Sequence, residues 1–257
     1  MYGLPLPAII DYITVFSPSG EIKREFSLYN IFKEDIPLSN IVYHYFQMAR
    51  CVLDPQTFVR MFTFSKSQNE RRQVLQRIEF DVLHNNNIQI MDRDIQGLCR
   101  KGNLLLSARN INLVAIVDLE KEKAIWKWGQ GVIEWQHNPS LLENNNILIF
   151  DNGTQRGYSR IIELNPFIKQ IVWEYKEKPS QNFFSPWGGS CQRLPNGNTL
   201  ICSSGGGYVF EVTKECEKVW EFYNPQVDKE NRQRVTIYRF IRLTDLKDYE
   251  FKDKLYQ

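Results

Sequence analysis

Three stretches of the chain share one pattern, and this pattern decides the fold: AIVDLEKEKAIWKW at 115–128, IIELNPFIKQIVWEY at 161–175 and VFEVTKECEKVWEF at 209–222. Each predicts a strand, a charged or proline-containing turn and a second strand, with apolar residues alternating toward one side. Trp126, Trp173 and Trp220 lie near the ends of these stretches at a constant spacing of 47 residues. Such a constant spacing indicates a structural repeat.

A second element precedes each of these stretches: KGNLLL at 101–106, NNNILI at 144–149 and PNGNTLI at 195–201. Asn-Gly and Asn-Asn supply the positive φ that a tight hairpin turn requires, and an apolar strand follows. The repeat is therefore a four-stranded antiparallel sheet of about 45 to 50 residues, the size of a β-propeller blade. The sequence predicts an all-β fold with three clear blades, in which each repeated tryptophan packs one sheet against the next.

The N-terminal region predicts a partial blade and a helical insertion. Residues 12–26, YITVFSPSGEIKREF, have the same strand–turn–strand pattern as the blades. Residues 39–75 change to helical spacing, with Ser39 as a candidate cap and Asp54-Pro55 as the start of a second helix. We interpret this region as an insertion on the propeller.

The C-terminal region predicts one more strand and a tail. Residues 235–243 have a strand-like pattern, and the polar residues 246–257 form a tail that we expect to fray. We assign residues 1–245 to a single, partial or reduced propeller domain. Three blades do not close a ring, so the open sheet edges need a cover. An upstream half, divergent strands or a homo-oligomer would each provide one.

Composition excludes several classes of protein. The 257 residues carry 32 Lys+Arg against 30 Asp+Glu, a balance that argues against a nucleic-acid or membrane-surface partner. No apolar run approaches the length of a membrane span, and the first ten residues do not resemble a signal peptide. The five cysteines form no CxxC pair, which argues against disulfides and a zinc site. We expect core thiols, no cofactor and a cytoplasmic location, or a periplasmic or extracellular one if an N-terminal segment is missing.

Two of the three histidines are candidate functional residues. His44 lies between two tyrosines of the predicted insertion, and we interpret it as structural. His84 and His137 each precede the first strand of a blade. Because the first strands of propeller blades surround the axis, two imidazoles there would converge on one ligand. The alternative is that each histidine is simply hydrogen-bonded in its loop.

A polar stretch in the second blade supplies a candidate cation. Residues 150–160, FDNGTQRGYSR, are longer than a simple hairpin needs. Arg160 begins the following strand, and an arginine there would bind a tetrahedral oxyanion through two hydrogen bonds. The alternative is a surface ion pair with Asp151, which would contribute little to stability.

These residues also carry a family resemblance. The runs NLLLSARNIN at 103–112, WKWG at 126–129, QH at 136–137, FDNG at 150–153 and GYSR at 157–160 resemble the arylsulfotransferase-like propeller family. So do FFSP at 183–186, QRLPNGN at 192–198 and WEFYNP at 220–225. The resemblance covers roughly residues 80 to 225 and is fainter at both ends.

The resemblance implies a reaction and a set of residues. Active members of the family are six-bladed propellers that transfer a sulfuryl group from a phenolic sulfate ester to a phenol through a histidine. By position, His137, His84 and Arg160 would inherit the catalytic roles. Binding of the aryl sulfate and the phenol would fall to neighbouring polar residues: Asn152, Arg156, Tyr158 and the arginine of the Ser107-Ala108-Arg109 run.

One departure from the family pattern leaves two functions open. When the turns of the second and third blades are aligned, Gly189 stands opposite His137, so the third blade has no histidine there. The first hypothesis is a sulfotransferase with His137 as the nucleophile. The second is a non-catalytic propeller that binds a small anionic or aromatic ligand, or a protein partner, at the same place. A quinone-dependent propeller dehydrogenase is a weaker third, because the sequence lacks an acidic cluster suited to Ca²⁺.

Overall fold

The computed structural model describes residues 8–42, 80–228, 230 and 232–243. Its N-terminal part contains β1 (Ala8–Ile9), β2 (Tyr12–Phe16), β3 (Ile22–Ser27), α1 (Leu28–Phe32), a 3-10 turn (Lys33–Asp35) and β4 (Phe80–Asp81). The first blade consists of β5 (Asn85–Ile90), β6 (Leu104–Ala108), β7 (Leu113–Asp118) and β8 (Lys123–Trp128). The second consists of β9 (His137–Leu141), β10 (Ile147–Asp151), β11 (Arg160–Asn165) and β12 (Gln170–Tyr175). The third consists of β13 (Ser190–Arg193), β14 (Thr199–Ser203), β15 (Tyr208–Val212) and β16 (Lys218–Tyr223).

Each of the three blades is a four-stranded antiparallel sheet with its strands in chain order, which confirms the predicted all-β propeller fold. The two middle strands of a blade are largely buried on both faces because a neighbouring layer covers each face. Every residue of β6, β7, β10 and β14 is buried. Between the first and second blades, Leu105 and Ile116 pack in one cluster with Ile149 and Ile162. A second cluster joins the second and third blades, with Leu148 and Phe150 packed with Ile201 and Phe210, so the blades are stacked face to face.

The repeated tryptophans join each blade to the next. Trp126 Nε1 donates a hydrogen bond of 2.9 Å to the carbonyl of Pro166, in the turn between β11 and β12. Trp173 Nε1 donates one of 2.7 Å to the carbonyl of Lys214, at the matching turn of the third blade. The predicted packing role of these two residues is confirmed, and it includes a hydrogen bond between blades.

The N-terminal hairpin β2–β3 is the predicted partial blade, and Arg24 takes the place of the tryptophan in it. Val15 pairs with Arg24 just before a bulge, as Ile116 pairs with Trp126. The Arg24 guanidinium donates a hydrogen bond of 3.1 Å to the carbonyl of Leu119, which follows Asp118 as Pro166 follows Asn165. The same contact between blades is therefore made by a different side chain.

The region after this hairpin differs from the prediction. The sequence did not predict the short helix α1. This helix places Leu28 and Phe32 in the cluster on the face of the first blade that points away from the second blade. Helical structure resumes at residues 38–42, so the helix begins before the predicted cap Ser39. The remainder of the predicted insertion, including His44 and Asp54-Pro55, lies outside the described residues. So does the predicted tail at 246–257.

Residues 235–243, called here the C-terminal segment, do not form the predicted strand. Its polar backbone groups bond to isolated partners instead of a continuous ladder. Ile237 N donates to the carbonyl of Ser204 at 3.2 Å, and Arg242 N donates to the side-chain oxygen of Gln192 at 2.8 Å. Its apolar side chains Ile237 and Phe240 still pack on the third blade. The prediction of a strand was therefore wrong, although burial of the apolar positions explains the pattern.

The C-terminal segment occupies the place of the first strand of a further blade. Arg193 of the third blade bonds Glu163 of the second at 2.7 Å and lies 4.8 Å from the centre of the Trp173 ring. Arg242 repeats both contacts with the third blade, forming an ion pair with Glu211 and lying 5.2 Å from the centre of the Trp220 ring. Since these contacts match, Arg242 is the counterpart of Arg193, and the segment covers a face that three blades alone would leave open.

In the described part of the chain, no helix is long and apolar enough to cross a membrane. The four cysteines in that part are free. Cys99, Cys191 and Cys202 are buried, as expected for core thiols, whereas Cys216 is exposed.

Candidate functional site

A small pocket opens where the first strands of the three blades begin. Its volume is about 60 Å³, and it lies between β5, β9, β13 and the C-terminal segment. Its walls are formed by Asn86, Asn87, His137, Asn138, Gly188, Gly189, Ser190, Tyr238 and Arg239. The only formally charged group among these residues is the Arg239 guanidinium, so the pocket suits an anion.

His137 is held in one orientation by Asn152. The His137 Nδ1 atom lies 2.8 Å from Asn152 Oδ1 and 3.0 Å from the carbonyl oxygen of Trp135. The buried Asn152 amide nitrogen donates to the carbonyls of Ser185 and Gly188, each at 2.7 Å. Because these two bonds use the amide hydrogens, Asn152 Oδ1 must accept, and His137 Nδ1 must carry the proton.

This arrangement leaves the lone pair of His137 on Nε2, for which the described residues provide no hydrogen-bond partner. Burial lowers the pKa of His137 below its ordinary value of 6.5. The bond from Asn152 acts in the opposite direction, and the positive charge of Arg109 lowers the pKa further. The imidazole is therefore neutral at neutral pH and able to act as a nucleophile.

His84 and Arg109 lie near His137 but not on the pocket wall. His84 Nδ1 is hydrogen-bonded to the Asp81 carboxylate, and the His84 backbone carbonyl accepts a hydrogen bond from Arg109 N at 3.3 Å. The Arg109 guanidinium lies 4.6 Å from the centre of the Trp135 ring, and burial lowers its pKa. Both side chains are close enough to His137 to act on its charge state. The Arg109 guanidinium provides a positive potential beside the pocket.

The strand pairing shows that His84 and His137 are not equivalent in their blades. His137 pairs with Phe150 of β10, and the matching pair in the first blade is Asn87 with Ser107. His84 comes three residues earlier in the chain. The expectation of equivalent blade positions was therefore wrong, and asparagines hold the place of His137 in the first blade.

A bulge also moves the counterpart of His137 in the third blade. The pairing of β9 with β10 shifts register between Leu148 and Phe150, so β9 contains one extra residue. In the third blade, Ser190 pairs with Cys202 at the place where His137 pairs with Phe150. The aligned residue Gly189 is one position off, but the conclusion that this blade supplies no histidine is unchanged.

Gly189 also has no room for a larger residue. Its φ is +136°, and a Cβ atom built there would lie 2.6 Å from the ring of Phe150. The Phe150 ring is itself fixed in an aromatic cluster, 5.7 Å from Phe183. Close packing against the second blade therefore explains why a glycine stands at this point of the pocket.

Arg160 does not line the pocket, contrary to the role that its position implied. Its guanidinium donates to Asp151 at 2.7 Å, to Glu174 at 2.9 Å and to the carbonyl of Val132 at 2.8 Å. Burial acts to lower the pKa of Arg160, but the bonds to the two carboxylates outweigh it and raise the pKa. The observed arrangement is the alternative pairing with Asp151, although that carboxylate is fully buried rather than on the surface.

Arg156 and Tyr158 belong to the same loop around Asp151. The Arg156 guanidinium lies 3.0 Å from the Asp151 carboxylate and 4.7 Å from the centre of the Tyr158 ring. Neither residue lines the pocket. Of the residues predicted to bind substrate, the structure therefore brings Asn152 into contact with His137 and Arg109 near it, and places Arg156 and Tyr158 elsewhere.

The predicted site missed Tyr238 and Arg239, which line the pocket from the C-terminal segment. A signal for them is present in the sequence, since Arg242-Leu243 repeats Arg193-Leu194 at a distance of 49 residues. The described residues contain no group of His, Cys, Asp and Glu side chains that could hold a metal ion.

Stacked four-stranded blades with a histidine-containing pocket at the start of their first strands define a propeller-class protein. The family model described as "Arylsulfotransferase (ASST)" matches residues 17–225, and the chain belongs to this family. No curated protein matches the chain significantly.

Solved structures with similar folds share little sequence with the chain. A protein of unknown function from Bacteroides caccae is 14% identical with a TM-score of 0.40, over 55% of this chain and 46% of its own. Virginiamycin B lyase from Staphylococcus aureus is 14% identical with a TM-score of 0.39, over 55% and 42%. The Cps50 (Swd1) β-propeller domain from Myceliophteria thermophila is 10% identical with a TM-score of 0.39, over 65% and 48%. The chain thus spans less than half the length of each of these structures.

Proposed function

We propose that the protein transfers a sulfuryl group from a phenolic sulfate ester to a phenol, with His137 as the nucleophile. The observation that carries this proposal is the neutral His137 imidazole in the pocket wall, whose Nδ1 proton is held by Asn152 and whose Nε2 has no hydrogen-bond partner among the described residues. Membership of the arylsulfotransferase family supports the reaction class.

In the first step, His137 Nε2 attacks the sulfur of the donor ester. An N–S bond forms, the S–O bond to the aromatic ring breaks, and the phenolate leaves and takes a proton from water. The ring gains positive charge, so the hydrogen bond from Nδ1 to Asn152 becomes stronger in this step. Arg109 keeps a positive potential beside the anionic donor.

In the second step, the acceptor phenol attacks the sulfur. The new S–O bond forms as the N–S bond breaks, the phenol proton passes to water, and neutral His137 is restored. Two successive transfers through a covalent intermediate predict ping-pong kinetics.

The test is release of nitrophenol from 4-nitrophenyl sulfate in the presence of phenol, between about pH 6 and 9. We expect turnover by the unchanged protein, none by His137→Ala, and a reduced rate for Arg109→Gln, which removes a nearby positive charge but not the nucleophile. Equal release by the unchanged protein and His137→Ala, or none by either, would rule out His137 as the nucleophile for this donor.

One observation favours a second function, the binding of a small anion without transfer. The third blade contributes Gly189 and Ser190 to the pocket where a further histidine would stand in an active relative. A protein of this kind would bind 4-nitrophenyl sulfate without releasing nitrophenol, so the same assay combined with a binding measurement separates the two functions.

A further inference from the structure

The C-terminal segment is built into the propeller at a defined register. Between the first and second blades, the side-chain oxygen of Gln89 on β5 accepts a hydrogen bond of 2.8 Å from Leu141 N on β9. Gln192 holds the matching position in the third blade, since it pairs with Leu200 as Gln89 pairs with Leu105. Its side chain bonds the backbone of Arg242 twice, accepting from N at 2.8 Å and donating to O at 3.1 Å. The segment therefore follows the course of an inner strand.

This register determines which residues reach the pocket. If Arg242 corresponds to Arg193, then Arg239 corresponds to Ser190, the residue that pairs in the third blade where His137 pairs in the second. The carbonyl of Tyr238, the residue before it, accepts a hydrogen bond of 3.1 Å from Ser204 Oγ, which fixes the backbone at this point. Tyr238 and Arg239 both line the pocket.

The two side chains have complementary chemistry. Arg239 brings a guanidinium to a pocket wall that otherwise carries only neutral groups, and Arg160 is fully used by Asp151, Glu174 and Val132. Tyr238 is 82% exposed, so its ring projects from the pocket wall into solvent. The volume of about 60 Å³ accommodates a tetrahedral anion but leaves an attached aromatic ring outside, beside Tyr238.

We propose that Arg239 binds the sulfuryl oxygens of an aryl sulfate or aryl sulfonate and that Tyr238 packs against its aromatic ring. This assignment rests on the proposed function for the identity of the anion, but it concerns binding and does not require transfer. Arg239 holds the oxyanion through two hydrogen bonds from one guanidinium. Tyr238 adds a preference for aromatic over inorganic anions.

The experiment measures binding of benzenesulfonate, which cannot transfer a sulfuryl group, and of inorganic sulfate to the full chain by calorimetry. We expect Arg239→Gln to weaken binding of both anions about tenfold, because a charge-assisted hydrogen bond is lost. Arg239→Lys keeps the charge but not the bidentate geometry, so its affinity for both anions should lie between those of the unchanged protein and Arg239→Gln. The matched control is Arg232→Gln, which removes an exposed arginine that precedes Arg239 in the chain and does not line the pocket, and it should leave the affinity for both anions unchanged.

The aromatic part of the assignment has its own measurement. We expect Tyr238→Ala to weaken benzenesulfonate about threefold or more and to leave inorganic sulfate unchanged, whereas Tyr238→Phe retains binding of both. Equal affinities for Arg239→Gln and Arg232→Gln would overturn the assignment of Arg239. Equal loss of both anions in Tyr238→Ala would overturn that of Tyr238.

These results are distinguishable from a failure of the proposed function. Arg239-dependent binding of benzenesulfonate without any nitrophenol release would exclude transfer from that donor and support the binding assignment. Nitrophenol release with benzenesulfonate binding that does not depend on Arg239 would support transfer and exclude the assignment.

Discussion

At the scale of single residues, the site depends on how one buried side chain, Asn152, fixes the orientation of another, His137. Asn152 is buried and uses both hydrogens of its amide on carbonyls of the loop before β13, so its oxygen can only accept. The lone pair of His137 is then on Nε2, and His137 is one of the residues that line the pocket. A tautomer that is determined by a buried amide is a property of the fold, not of the ligand.

The charge state of His137 follows from burial first and from its neighbours second. Because the neutral form is the nucleophile and the pKa lies below 6.5, reactivity should persist as the pH falls through 6.5 and disappear only at lower pH. The stability of the fold also depends on the protonation of His137, and it is greatest where the imidazole is neutral. The unfolded histidine binds a proton more readily than the folded one, so the free energy of unfolding decreases as the pH falls from above 6.5 toward the folded pKa.

Removing a neighbouring charge should raise this pKa. We expect Arg109→Gln to raise the pKa of His137, since the Arg109 guanidinium opposes protonation of the imidazole. The measurement is the pH titration of the His137 ring signals by NMR. Arg100→Gln, an exposed arginine of the first blade, is the control and should leave the titration unchanged. A pKa that is unaltered or lowered in Arg109→Gln would contradict the electrostatic account.

Gly189 tests the close approach of the second and third blades. Gly189→Ala places a methyl group against the Phe150 ring and should lower the free energy of unfolding by about 3 kcal/mol. Gly197→Ala is the matched control, since its φ is +88° but a Cβ there meets nothing within 4 Å. It should cost about 1 kcal/mol from backbone strain alone. Equal costs in chemical denaturation would show that Phe150 yields and that the glycine is not required for packing.

At the scale of the elements, each blade is tied to its neighbour by a side chain near the end of its last strand. Trp126 and Trp173 make this bond with an indole and Arg24 with a guanidinium, in each case to the carbonyl just after the matching strand of the next blade. The indole also buries a large apolar surface, whereas the Arg24 side chain is 45% exposed. The indole and guanidinium contacts between blades should therefore contribute different amounts to the free energy of unfolding.

Truncation of the tryptophan should therefore cost more stability than truncation of the arginine. Trp126→Ala should lower the free energy of unfolding by about 3 to 5 kcal/mol, because a buried aromatic ring is lost together with a hydrogen bond. Arg24→Ala, at the same place in the N-terminal hairpin, should cost less than about 1 kcal/mol. Thermal and urea unfolding would measure both. A larger loss for Arg24→Ala than for Trp126→Ala would contradict the account.

The elements also show how far the sequence predicted the structure. The tryptophan repeat was found because the residue is rare and recurs at a fixed spacing, whereas Arg24 shares the geometry but not the residue type. The strand prediction for 235–243 failed because its apolar residues do face a blade while its backbone bonds Ser204 and Gln192. At the site, His137 was found as one of only three histidines. Arg160 was misplaced because sequence does not show which charges pair inside a sheet.

At the scale of the whole molecule, three blades are covered at both ends by partial elements. The N-terminal hairpin and α1 lie on the first blade, and the C-terminal segment lies on the third. Both outer faces of the three-blade stack are therefore covered by other residues in the described part of the chain. The C-terminal segment serves both the stability of the third blade and the wall of the pocket.

The contribution of this cover can be measured with neighbouring residues. Phe240→Ser removes a ring that packs on Trp220 and Phe222, and it should lower the free energy of unfolding by about 2 kcal/mol or more. Ile241→Ser, next in the chain and 51% exposed, should change it by less than about 0.5 kcal/mol. The emission of Trp220 should also shift toward that of a solvated indole in Phe240→Ser alone. Similar stabilities for the two variants would show that the segment does not hold the third blade.

The measurement that tests the central claim most directly is the mass of the intact protein after incubation with 4-nitrophenyl sulfate in the absence of a phenol acceptor. The account predicts that one sulfuryl group is bound per chain, on the peptide that contains His137, and that added phenol removes it. His137→Ala should show no added mass. A sulfuryl group on any other residue, or an unmodified protein that nevertheless releases nitrophenol, would contradict the assignment of His137 as the nucleophile.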